Sequence, residues 1–127
     1  METGNVLLWT TDKAKGHGSR RKYHIFICEG DWVEERKTFL FISSHDYFND
    51  FEITRSDWRE MPNSSSFISC NSPVFYSDSE LRSYTVTPTG SLSTKCLRRL
   101  ALHIQDSDVM ERRQIARVVA SLYRAIK

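Results

Sequence analysis

The chain has 127 residues, 39% of them hydrophobic and 27% charged, with a formal net charge of +2. That length suits a single domain with one core, and so small a net charge does not by itself argue for nucleic-acid binding. No window approaches the roughly 20 apolar residues that span a bilayer, and the start lacks a secretory pattern, so the expected setting is soluble and cytoplasmic, without a membrane partner.

Cys28, Cys70 and Cys96 are widely spaced and lack CxxC spacing, which predicts reduced thiols rather than a disulfide framework or a zinc site. Neither a metal nor a cofactor is expected. In chain order, Val6–Trp9 is an apolar run between Gly4-Asn5 and Thr10–Asp12, as in a short strand. A basic loop follows, in which Lys13, Lys15, Arg20, Arg21 and Lys22 surround Gly16 and Gly18. Glycine lets such a loop curl against a ligand. A guanidinium offers a planar fork of donors matched to phosphate oxygens, which ranks Arg20 and Arg21 above the lysines as phosphate holders. The alternative is a solvated basic hairpin without a ligand.

Tyr23–Cys28 alternates as a strand, with Tyr23, Ile25 and Ile27 on one face and His24, Phe26 and Cys28 on the other. Thr38–Ser43 is apolar on both faces and so central. Ser43 and Ser44 close it, where a hydroxyl can face a site. His45–Asp50 is a loop carrying Tyr47 and Phe48, and Phe51–Thr54 alternates as a further strand. Residues 55–66 read as a surface loop with one helical turn at Ser56–Arg59. Phe67–Cys70 and Val74–Tyr76 are short apolar runs, Asp78–Leu81 a single turn, and Ser83–Thr87 a last strand ended by Pro88 and Gly90.

The final third changes character. Leu97, Leu100, Ala101 and Ile104 follow helical spacing, with Ser93 as N-cap and Leu92 placed to staple onto Leu97. A second helix is expected from about 109 to 125, capped from within Gln105–Asp108. Its apolar stripe is Ile115, Val118, Val119, Leu122 and Ile126, and Arg112, Arg113, Arg117 and Arg124 lie on its other side. The expected fold class is mainly β with C-terminal helices (α+β): a small barrel over about 4–90, then helices over about 93–105 and 109–125, since closure removes unpaired strand edges.

Several strings in this order resemble the MazF/PemK (CcdB/PemK) superfamily of toxin endoribonucleases. Gly4–Trp9, Lys15–Arg21 and Tyr23–Cys28 are similar to its opening strand, basic loop and second strand. Phe41–Ser44 and Phe48–Ile53 look like its hydroxyl-ended strand and the string after it, while Ser66–Asn71 and Gly90–Ser93 resemble its later signatures. The loop is shorter than the family's and lacks its acidic residue, Lys22 replaces a proline, and serine replaces the catalytic threonine.

The resemblance implies an SH3-like barrel that forms a homodimer and binds RNA or the tail of a cognate antitoxin in a groove. It also implies metal-independent cleavage of single-stranded RNA, in which the ribose 2′-hydroxyl attacks the adjacent phosphorus and leaves a cyclic phosphate and a 5′-hydroxyl. Arg21 would be the catalytic arginine and Ser43 the hydroxyl beside it. Substrate contacts are expected from Lys15, Arg20, Lys22, Ser44, Tyr47, Phe48 and Asn71. Tyr23, Tyr47, Phe48 and Trp58 are candidate stacking platforms for bases.

An arginine, with a pKa above about 12, shuttles protons poorly but suits the charge that builds on a phosphorane. Proton transfer could fall to His17, in the basic loop, or His45, two residues past Ser43, supplementing Arg21; the alternative is that both are ordinary surface histidines. His24 reads as a strand residue with satisfied hydrogen bonds. The competing class of function is a non-catalytic module of the same barrel that binds nucleic acid or a peptide.

Overall fold

The computed structural model describes residues 1–14, 18–30 and 36–126. Among these, β1 (Asn5–Thr11), β2 (Arg20–Cys28), β3 (Lys37–Ser43), β4 (Phe51–Thr54), β5 (Ser65–Ile68), β6 (Val74–Tyr76) and β7 (Thr87–Ser91) form one sheet. A short helix, α1 (Asp78–Ser83), precedes β7, and α2 (Thr94–Gln105) and α3 (Arg112–Ile126) follow it. The strand order is β4-β5-β3-β2-β1-β7, with β6 pairing β3 beyond the reach of β5, and every pairing is antiparallel.

The sheet curls until its two ends meet. Trp58, just past β4, makes an antiparallel bridge with Leu92, just past β7. Ser93 N donates to Asp57 O at 2.9 Å and the Trp58 indole N–H to Thr89 O at 2.8 Å. The α+β, curled-barrel architecture with two C-terminal helices is therefore the one expected from the sequence.

Strand alternation gives the sheet two apolar faces. Val6, Ile25, Ile27, Leu40, Ile42, Ile53 and Ile68 point to the side covered by Leu97, Leu100, Ala101 and Ile104 of α2 and by Val118 and Leu122 of α3. Leu7, Trp9, Phe26, Phe39 and Tyr76 pack on the other side, covered in part by Leu81, Tyr84 and Val86 around α1. Ser93 caps α2 by accepting from Cys96 N, and Leu92 and Leu97 share the main core. Gly4, at φ +95°, is required where the chain enters β1. A side chain there would also press on Leu97, whose Cδ atoms lie 3.3 Å from where its β-carbon would stand.

Five expectations are corrected. First, Arg20, Arg21 and Lys22 belong to β2 and not to the loop, because they pair with Thr11, Thr10 and Trp9 of a longer β1. Second, a register shift between Phe26 and Cys28 turns Cys28 toward the helices, away from the face it would share with His24. Third, the last strand runs Thr87–Ser91, through Pro88 and Gly90 rather than ending at them, which an edge strand tolerates. Fourth, α3 begins at Arg112, since Ser107 bonds the amides of Val109 and Met110 in a turn before it. Fifth, Trp58, at the end of the single turn closed by its N–H to Thr54 O, is fully buried in the core, so it is no stacking platform.

Arg117 also does not simply face solvent. Its guanidinium donates to the carbonyls of Glu29 and Gly30 at the end of β2. Among the described residues no helix is long and apolar enough to cross a membrane.

Candidate functional site

A groove of about 1030 Å³ opens where the basic start of β2 meets the end of β3. Arg20, Arg21, Lys22, Ser43, Ser44, His45, Tyr47 and Asn71 all line it. Residues far apart in the chain are thus brought together by the β2–β3 pairing and by the loop between β5 and β6. Phe48 does not line the groove; it stands on the adjoining loop with 77% of its surface exposed. Lys15 and His17 lie outside the described residues.

The pleat sorts these side chains. Lys22 shares a face of the sheet with His24, and Phe41 and Ser43 share it from β3; Arg21 alternates to the face of Tyr23, Ile42 and Ser44. One step beyond the last paired residues, Tyr23 and Ile42, the same register sets Lys22 across from Ser43 and Arg21 across from Ser44. The groove wraps around the end of this ribbon and takes in both faces. Arg20 and Arg21 are exposed, and neither forms an ion pair with another described residue. Lys22 is half-buried with its ammonium 5.3 Å from the Phe41 ring centroid. Burial, and then the charge of Arg20, lowers its pKa against a smaller opposing pull from Asp50.

The β3–β4 loop is held from beneath. Asn49 adopts φ 66°, its carbonyl accepts from His103 Nε2 at 2.8 Å, and its amide donates to Ser107 Oγ at 3.0 Å. Tyr47 N donates to Asp50 Oδ2 at 3.0 Å. With its base fixed to α2 and to the turn after it, the loop presents His45, Tyr47 and Phe48 outward; the His45 and Tyr47 rings lie 6.2 Å apart. At the end of β3, Ser43 Oγ accepts from His45 N at 3.1 Å, which leaves its O–H to donate.

Sequence reasoning passed over Arg36, Asp50 and Ser69. Arg36 lies over the Phe75 ring at 4.8 Å, and burial raises the pKa of Asp50. None of the three carries a local motif: Ser69 follows β5 and Arg36 precedes β3, where β5 and β6 pair it, and Asp50 is held in the β3–β4 loop by Tyr47 N. Lys13, counted with the basic loop, lines the groove but is engaged by Glu80 at 2.9 Å.

Beneath the stems of the basic loop runs a buried polar chain. The Lys22 carbonyl can only accept, so His24 Nδ1 carries the proton in their 2.9 Å bond, and Nε2 accepts from the Tyr76 hydroxyl at 2.9 Å. That hydroxyl in turn receives the hydrogen of Thr11 Oγ1 at 2.7 Å, and Thr11 accepts from Lys13 N at 3.1 Å. Trp9 stacks on the His24 ring at 3.5 Å. Burial pushes the His24 pKa down to about 3 and that of Tyr76 upward. His24 is therefore a neutral, positioning part of the frame, as expected for a satisfied strand residue. Cys70, its thiol pushed up to about 12 by burial, is equally unsuited to attack.

No family model matches the chain, and no curated protein matches it.

Proposed function

We propose that this chain is a metal-independent endoribonuclease that takes single-stranded RNA into the groove and cleaves it by attack of a ribose 2′-hydroxyl on the adjacent phosphorus. The supporting observation is the convergence of Arg20, Arg21 and Lys22 with Ser43, Ser44, His45 and Tyr47 on one groove. Exposed guanidinium groups without an ion pair to another described residue supply the charge a phosphorane needs. The exposed aromatic loop offers stacking surfaces that single strands use and duplexes do not. In this reading Arg21 stabilises the phosphorane and His45, lining the same groove, is the proton carrier, while Ser43, which the resemblance set beside Arg21, lies on the opposite face of the ribbon and contacts the RNA strand there.

The partners that accompany it are RNA, a second copy of the chain, and the tail of a cognate antitoxin competing for the same groove. The test is incubation of the purified chain with a long single-stranded RNA in EDTA. Cuts are expected from the native chain, and Arg21→Ala should slow them by at least about 100-fold. Salt-sensitive binding without cuts would instead support a binding module on the same fold.

A further inference from the structure

We propose that Lys22 and Ser43 form a phosphate subsite on one face of the β2–β3 ribbon, distinct from the Arg21 side, that holds a backbone phosphate of single-stranded RNA. The inference rests on the reading that the groove takes RNA, and it names the side chains that hold one phosphate.

Three observations carry it. The β2–β3 pairing ends at Tyr23 and Ile42, and its register carried one residue further sets Lys22 opposite Ser43; directly opposed strand residues have β-carbons about 4.5–5.5 Å apart. An ammonium and a hydroxyl so placed can reach two oxygens of one phosphate. Next, Ser43 Oγ accepts from His45 N, and among the described residues its O–H has no acceptor, so its hydrogen is available to an outside one. Finally, Lys22 is half-buried over Phe41, yet among the described residues no carboxylate forms an ion pair with it. A partly desolvated cation without a paired counter-ion interacts more strongly with an incoming anion than a fully hydrated one does.

Arg21, across the pleat with Ser44, is exposed and faces a different part of the strand's path. A single strand crossing the end of the ribbon therefore meets two cation and hydroxyl pairs in succession, with the drier pair at Lys22.

The probe is a 2′-O-methyl single-stranded RNA, which cannot be cleaved by its own ribose. Its affinity for the full chain is measured from low to moderate salt. Lys22→Ala is expected to flatten the slope of log affinity against log salt by about 0.7, the value for one phosphate of a single strand, and Lys22→Arg to keep the native slope. Ser43→Ala should weaken binding about 2- to 10-fold at an unchanged slope. The double variant should lose less than the product of the two single losses, because both groups serve one phosphate.

A native slope in Lys22→Ala, or strictly multiplicative losses, would overturn the subsite while leaving the nuclease reading intact. Salt-dependent binding that loses this slope increment in a chain that never cuts RNA would uphold the subsite and remove the nuclease. Absence of binding by the native chain would overturn both.

Discussion

Replacing Trp58 by alanine is expected to lower the free energy of unfolding by about 3–5 kcal/mol, at the upper end of what a single truncation does. Trp58 is fully buried, bridges Leu92 across the seam of the curled sheet, donates its indole N–H to Thr89 O, and packs edge-on against Tyr23 at 4.9 Å between centroids. Alanine removes the wall of the core at the point where the two ends of the sheet meet. Phenylalanine keeps most of the volume but leaves the Thr89 carbonyl without its donor, and should cost only about 1–3 kcal/mol. Urea unfolding of both variants checks the ordering. An alanine cost below about 1 kcal/mol, or a phenylalanine cost as large as that of alanine, would mean that the seam is not what holds the ends together.

The second large effect is a pH dependence from His24. Its folded-state pKa, about 3, lies below the unfolded value of about 6.5. Between those values the unfolded chain binds the extra proton, so the contribution is whole above pH 6.5 and is lost progressively as pH falls toward 3. At pH 5 the loss amounts to about 2 kcal/mol.

His24→Phe should be less stable than the native chain at pH 7.5, by about 1–3 kcal/mol, since Tyr76 and the Lys22 carbonyl each lose a partner. Because phenylalanine does not titrate, the gap should shrink by about 2 kcal/mol at pH 5. Stability curves that run parallel between pH 7.5 and pH 5 would contradict a buried neutral imidazole.

Periodicity exposed much of this architecture. The core faces of β2 and β3 and the stripes of α2 and α3 follow alternation or helical spacing that any window of the chain displays, and Ser93 lies at the expected cap. What stayed hidden depends on partners distant in sequence. Arg20, Arg21 and Lys22 look like loop residues until Thr11, Thr10 and Trp9 are seen to pair with them, and only then does the pleat separate Lys22 from Arg21.

Trp58 sits in a polar stretch, and its burial is imposed by Leu92 and Thr89, more than 30 residues away. Pro88 and Gly90 are ordinary turn signals, yet β7 carries both because its outer edge needs no ladder donor there. The groove followed the same pattern. Arg20, Arg21, Lys22, Ser43, Ser44 and Tyr47 could be named from composition and resemblance, whereas Arg36 and Ser69 are brought in where β6 and β5 pair with β3, and Asp50 by the fold of the β3–β4 loop.

The most direct measurement is the chemistry of the ends produced when the chain meets a defined single-stranded RNA in EDTA, read by mass spectrometry. Attack by the ribose hydroxyl in the groove predicts one fragment with a cyclic phosphate and one with a 5′-hydroxyl, both absent when a single 2′-O-methyl group replaces the hydroxyl at the cut. RNA recovered intact, or fragments that still form at the methylated position, would contradict it.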